Sequence, residues 1–443
     1  MEMKPKVGKN FPGPKAKELI KADTRCMATI TKDSPIAIKR GMGVYVDDLD
    51  GNRFLDFTSG IGVLNVGHTH PAVVKAIKDQ SEKFLHFVGG DYYYQPQVDL
   101  AERLAKLAPG PSSKRVFFTN SGTESVEAAI KLSLWSTKRK RIIGFIGAFH
   151  GRTMGSLSIT CSKSVHRNRY FPMVPGVTHV PYAYCYRCPY GMEYPDCGLH
   201  CARVIDEVYL DAVSPAEETA AMFVEPMQGE GGYILPPDDF HRELSRICKR
   251  HKMLYVADEI QSGCGRTGKM FAIEHTGVAP DVIAMAKGLG SGLPIGAIVF
   301  DKKHDWGVKG AHANTFGGNP VCCEAAKAGL EVIEKDRLLK NTVRMGKIMS
   351  ERLHDIYDRY DIVGDVRGRG LMQAAELVKS RRTKKHAVKE RDRIADLCLK
   401  NGMIALGCGK SAIRFIPPLI IGEEDLNLGM DIFEGSVKEV AKA

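Results

Sequence analysis

The sequence predicts an α/β protein in which a mostly parallel central sheet carries helices on both faces, joined by a smaller α+β domain built from both chain ends. Two observations carry this prediction. From about residue 70, short apolar runs alternate with amphipathic stretches, as in RVFFTNSG, RIIGFIGAFHG, AAMFVEPMQG, MLYVADEIQ and DVIAMAKG. That alternation suits parallel strands joined by crossover helices. In all five runs the polar or glycine residues gather at the carboxyl end, where open parallel sheets bind their ligands.

The elements follow in order. GVYVDDLDGNRFLDF reads as two strands around Asp50 and Gly51, a pair that favours a hairpin turn. TESVEAAIKLSLWSTKR and DFHRELSRICKRHK space their apolar residues by three and four, the period of a helix lying on a sheet. From about residue 335 the pattern returns to mixed helices and short strands in DIVGDVRGRGLMQAAEL, MIALGCG and AIRFIPPL. The expected division is therefore 1–69 for the amino-terminal part of the small domain, 70–334 for the large domain and 335–443 for the carboxyl-terminal small domain.

At 443 residues, 44% hydrophobic and 26% charged, the composition is that of a globular protein and excludes a disordered chain. No apolar run reaches 18 residues and no charged-then-apolar leader opens the sequence, so a soluble cytoplasmic protein without a membrane partner is expected. Net charge is +11, with much of the excess in KSRRTKKHAVKERDR. Glu390 and Asp392 interrupt that run and no aromatic residues interleave, so it reads as a solvated surface and no nucleic-acid partner is expected.

Four of the 12 cysteines, Cys185, Cys188, Cys197 and Cys201, lie in CYRCPYGMEYPDCGLHC, in the linker after the FHGRT strand. Their spacing leaves three readings open: a structural metal, two disulfides, or reduced thiols. None of these implies catalysis.

The chemistry centres on AMAKGLGSGLPIGA, where Lys287 follows a buried-strand pattern and precedes a glycine-rich turn. A lysine desolvated at such a strand end has a lowered pKa and a nucleophilic amine suited to a Schiff base. Ser121, Gly122 and Thr123 sit between a strand and a helix, where free amides and the positive helix end attract phosphate. Asp258 ends another strand and needs a positive partner, which a protonated pyridine nitrogen supplies. With the aromatic Phe149 at a further strand end, these pieces fit pyridoxal phosphate.

NSGTESVEAAIKL, FHGRT, EPMQGEGG, DEIQSGCGRTG, AMAKGLGSGLPIGA and NTFGGNP, taken together in this order and spacing, resemble a class III (omega) aminotransferase of PLP fold type I over nearly the whole chain. The resemblance implies that 70–334 is the cofactor-binding domain and that Lys287 binds the cofactor's aldehyde and shuttles the substrate proton. It also implies that Asp258 holds the pyridine nitrogen, Gln261 the phenolic oxygen, and Ser121, Gly122 and Thr123 the phosphate. Phe149 stacks on the ring, with His150 beside it, and Thr315 reaches the phosphate of a neighbouring subunit in a homodimer or dimer of dimers with shared active sites.

For the amino donor and 2-oxo acid, the resemblance assigns Arg414 to an α-carboxylate, Glu230 to screening that arginine, Arg152 to a distal carboxylate and Ile61 to the pocket wall. It points to transfer from 4-aminobutyrate or a similar ω-amine to 2-oxoglutarate. Ornithine, lysine or acetylornithine transfer and amino-acid racemisation are the alternatives. Cys264 within DEIQSGCGRTG and the four-cysteine loop depart from the family pattern.

Overall fold

The computed structural model describes residues 4–32 and 34–442. Its centre is a seven-stranded sheet of β1 (Lys114–Thr119), β2 (Arg141–Phe145), β3 (Val177–Val180), β4 (Thr219–Val224), β5 (Leu254–Asp258), β6 (Val282–Met285) and β7 (Gly296–Asp301). The strand order across the sheet is β1-β7-β6-β5-β4-β2-β3. β2 to β6 run parallel, and β7 alone is antiparallel to its neighbours β1 and β6.

The five apolar runs read from the sequence are all strands of this sheet. β3 and β7 were not among them, because VTHV is short and β7 lies within the glycine-rich stretch after Lys287.

Alternate residues along each strand enter different cores, which is why the runs are continuously apolar. Val256, Ala284 and Phe223 pack with Val126, Ala129 and Leu132 of helix α1 (Gly122–Thr137). Tyr255, Ala257, Ile283 and Val224 pack on the opposite side with Phe240, Leu244 and Ile247 from the helix Asp238–His251. Both faces of the sheet are thus covered, and its carboxyl edge is the open side.

The predicted hairpin forms, with Tyr45 opposite Leu55 and Gly51 at φ +86°. Its second strand, Arg53–Asp56, pairs in parallel with Met403–Ile404, so one small sheet is made from the two ends of the chain. A further antiparallel sheet of Val363–Arg369, Met372–Leu377, Ala412–Phe415 and Leu406–Cys408 completes the carboxyl-terminal section.

Candidate active site at the strand ends

Parallel strands that end in register bring together residues remote in sequence. Lys287 leaves β6 through a sharp bend, with its own backbone at φ +41°, a left-handed conformation that non-glycine residues adopt at a cost of order 1–3 kcal/mol. Ser125 from α1 donates to the carbonyl of Met285 at 3.0 Å and ties this strand end to the helix. The Lys287 amine is pushed down to about 8, first by burial and then by the nearby positive Arg414, against the attraction of Asp258, Glu225 and Glu230. Relative to an ordinary lysine at 10.5, that raises the neutral, nucleophilic fraction near neutral pH about 300-fold.

Asp258, 4% exposed at the end of β5, is held by the His150 ring at 2.7 Å and accepts from the backbone of Ile260 at 3.0 Å. Burial works against a charged His150, but the hydrogen bond and charge of Asp258, with Glu225 behind it, outweigh burial and raise its pKa. His150 is therefore an ion partner to Asp258 as well as a neighbour of Phe149. Glu225, just after β4, was not singled out in the sequence. It is buried, pushed upward mainly by that burial, and accepts the backbone amides of Phe149 and Gly229, each at 2.7 Å. A carboxylate immediately after a buried apolar strand was the available signal.

Ser121 caps α1, weakly, by accepting the Glu124 amide at 3.4 Å. Thr123 meets Thr153 at 2.8 Å and Ser156 at 2.6 Å, which draws the FHGRT turn onto the start of α1. A side chain at Gly122 would come within 2.9 Å of Ile260, and one at Gly151, which stands at φ +130°, within 2.3 Å of Thr123. The glycines keep this helix end open. Gln261 packs against Gly229 and its buried Oε1 has no partner among the described residues.

Arg414, on the strand Ala412–Phe415, is almost wholly buried and donates to Glu230 at 3.2 Å. Glu230's other oxygen accepts from Lys163 at 2.6 Å, a residue absent from the sequence reading. Burial raises the Glu230 pKa, and the Arg414 and Lys163 charges overcome that and hold it low. Arg152 is exposed, with its guanidinium 5.0 Å from the centre of the Phe149 ring. His166 faces the same ring edge-on at 5.4 Å and feels the Arg152, Glu230 and Lys163 charges.

Ile61 stands at φ +65°, strained for a β-branched residue, in a turn tied down by Arg266. That fully buried arginine donates to Ser59 at 3.3 Å, to Asn65 at 2.5 Å and to the carbonyl of Pro417. Thr315 is exposed and has no polar partner in this chain among the described residues, so one chain does not join it to Lys287. Its loop is pinned by Asn314, which donates to Phe118 at the end of β1 at 2.8 Å.

The cysteine loop differs from expectation in position. It follows β3, which the sequence reading missed, and so leaves a strand's carboxyl end. Cys185, Cys188, Cys197 and Cys201 line one small cavity with Tyr182, Tyr190 and His200. Among the described residues no three or more His, Cys, Asp or Glu side chains come together as a group able to hold a metal ion, and all twelve cysteines are free. The arrangement seen here is four separate thiols. Burial, reinforced by the other three cysteines, pushes Cys201 up to about 12, so it stays protonated.

Comparison with known proteins agrees with the architecture. The chain is 37% identical to the alanine/serine racemase of Pyrococcus horikoshii over 98% of its own length and 93% of the relative's. It is also 37% identical to a probable 4-aminobutyrate aminotransferase of Bacillus subtilis, over 91% of this chain and 93% of the other. An amine transaminase from an uncultivated Pseudomonas species, solved in its PLP-bound form, superposes with a TM-score of 0.86 at 31% identity, covering 93% of this chain and 97% of that one. The family model for class III aminotransferases matches residues 27–437, a span that includes every strand end described above, and the chain belongs to that family.

Proposed function

We propose that this class III aminotransferase moves the amino group of an ω-amino acid such as 4-aminobutyrate to 2-oxoglutarate in two half-reactions, with pyridoxal phosphate as its cofactor. The observation that carries the reading is Glu230 bound to Arg414 beside Lys287. A buried arginine already screened by a carboxylate suits a donor without an α-carboxylate, and the same arginine, unscreened, suits 2-oxoglutarate.

The residues present fit the cofactor. The Lys287 amine hydrogen-bonds no described residue, Gln261 has a buried oxygen without a partner, and the start of α1 is kept clear by Gly122 and Gly151. When bound, pyridoxal phosphate supplies an aldehyde for the lysine and a ring that accepts electrons. Asp258, oriented by His150, would then be the anion for the ring nitrogen, and Gln261 would hydrogen-bond the phenolic oxygen. Ser121, Gly122 and Thr123 would hold the phosphate at the helix start, and Phe149 would cover the ring.

Lys287, with the pKa of its amine lowered toward neutrality, would be the base that takes and carries the proton of the amino-bearing carbon. Arg152 on the Phe149 ring reads a distal carboxylate. Ile61 shapes the entrance, and Thr315, exposed here, serves the partner's phosphate in a homodimer or dimer of dimers. A cytoplasmic setting belongs to the same proposal; no described helix is long and apolar enough to cross a membrane.

Racemisation is the second reading, favoured by the Pyrococcus relative. A donor panel of 4-aminobutyrate, ornithine, lysine and acetylornithine with 2-oxoglutarate, beside a chirality assay on alanine, serine and leucine, separates the two. Racemisation of those amino acids faster than any amino transfer would overturn the proposal.

A further inference from the structure

Glu230 has two cationic partners, one on each carboxylate oxygen. Lys163 Nζ donates to Oε1 at 2.6 Å and Arg414 Nη1 donates to Oε2 at 3.2 Å, so the lysine contact is the shorter. Arg414 is far from saturated: that bond is its only side-chain hydrogen bond to a described residue, and its buried Nε has no partner. The two cations also differ in freedom. The Arg414 side chain is 7% exposed on a strand paired on both sides, whereas Lys163 is 34% exposed in a loop beyond β2.

The backbone around Glu230 is fixed. Its carbonyl accepts from Gly409 at 2.9 Å, and the Gly232 carbonyl accepts twice from Arg367, at 2.7 and 3.0 Å. Gln228 donates to Ile146 at 2.9 Å, and a side chain on Gly231 would come within 2.6 Å of the Gly147 carbonyl. The Lys163 side is laced to the same strand end, with Cys161 donating to Ala148 at 2.8 Å and Gly147 donating to Cys161 at 3.0 Å. Motion at this point is therefore side-chain motion. A buried carboxylate that leaves its only cation is strongly penalised, and one that keeps a second cation is not.

We propose that Lys163 is a specificity-determining positioning residue, which retains the Glu230 carboxylate when Arg414 is given up to an α-carboxylate. The inference rests on the Glu230 switch of the proposed function. Lys163 sets the cost of opening that switch, and thereby how well one pocket serves both an ω-amine and a 2-oxo acid. Arg152 adds positive charge to the same space, whereas burial and the Arg152 and Lys163 charges lower the His166 pKa and favour its neutral form, and neither residue hydrogen-bonds Glu230.

The test uses the holoenzyme and follows each half-reaction by its absorbance change. Glutarate, a dicarboxylate that cannot react, serves as the probe, with its dissociation constant measured by calorimetry. In K163M, Glu230 has only Arg414. The kcat/KM for 2-oxoglutarate should then fall about 10-fold or more relative to that for 4-aminobutyrate, mostly through KM, and glutarate should bind more weakly by a similar factor. K163R should restore both.

In E230Q the lysine has no charge to hold, so E230Q/K163M should match E230Q in glutarate affinity. Equal losses in the two half-reactions of K163M, or a K163M effect on glutarate that persists in the E230Q background, would overturn the role of Lys163. An E230Q enzyme whose α- to ω-substrate ratio equals that of the wild type would instead overturn the switch itself, and the inference with it.

Discussion

The carboxyl edge of the central sheet and the cysteine loop both concentrate reactive side chains, but they gather them in different ways. At the sheet edge, Phe149, Glu225, Asp258 and Lys287 come from four strand ends far apart in sequence and converge because parallel strands finish side by side. In the loop, four cysteines close in sequence line one cavity. What fixes the loop is ionic. Arg187 donates to the buried Glu376 at 2.7 Å, Tyr184 donates to the same carboxylate, and Arg367 meets its other oxygen at 2.8 Å. Spacing in sequence is thus a poor guide to a site when topology does the assembling, and Arg367, which also holds Gly232, links the two regions.

The sharpest test of that contrast is Lys287→Ala. Turnover should drop at least about 10³-fold, since both the nucleophile and the proton carrier are lost. Borohydride reduction of the wild-type holoenzyme should fix the cofactor on Lys287, and peptide mapping that found it on another lysine would break the assignment. Asp258→Asn should cost about 10²-fold or more in turnover, because the pyridine nitrogen loses its anion. Rates within two-fold of wild type would remove Asp258 from the chemistry.

At the junction of the two regions, Glu376→Gln leaves Arg367 and Arg187 without their shared buried anion. Stability should fall by about 3 kcal/mol in chemical denaturation. A loss confined to stability, with the α- to ω-donor ratio kept, would show that the network braces the loop without setting the Glu230 turn.

Lys287 also leaves a pH signature in the cofactor-free protein. Its folded pKa of about 8 lies below the unfolded 10.5, so the unfolded chain binds more protons between those values. Stability relative to Lys287→Met should be lowest below pH 8 and should recover as pH rises through 8 to 10.5. A difference that stays flat across that window would mean the amine is not desolvated. The smallest effect is expected in the loop: replacing Cys185, Cys188, Cys197 and Cys201 by Ser should lower the melting temperature by a few degrees at constant turnover, and a chelator should change neither. Metal released on unfolding the wild type would reverse the reading of free thiols.

The fold class and the strand-end placement of Asp258 and Lys287 were legible because both are written in local pattern. Apolar runs that end in Asp258 or in Lys287 and glycine reveal a strand and its exit together. Glu225 and Lys163 were not legible, since their importance lies in what crosses to meet them: the amides of Phe149 and Gly229 in one case, the carboxylate of Glu230 in the other. β3 was too short to signal itself, and so the loop after it was misplaced. Arg266 sat inside a quoted motif, but its grip on Ser59, Asn65 and Pro417 depends on tertiary contacts that no periodicity records.

The parallel pairing of Leu55 with Met403 and of Asp56 with Ile404 carries a consequence for biogenesis. More than three-quarters of the chain lies between these partners, so during synthesis the amino-terminal hairpin emerges long before the strand that completes its sheet. Closing so long a loop is entropically costly and slow compared with forming the contiguous strand-helix units of the central sheet. The nascent polypeptide is expected to build that sheet first and to hold an unfinished, pairing-competent edge at Arg53–Asp56 until Met403 and Ile404 have been synthesised. Ribosome-bound chains halted before residue 403 should show the hairpin protease-sensitive while the central strands are already protected.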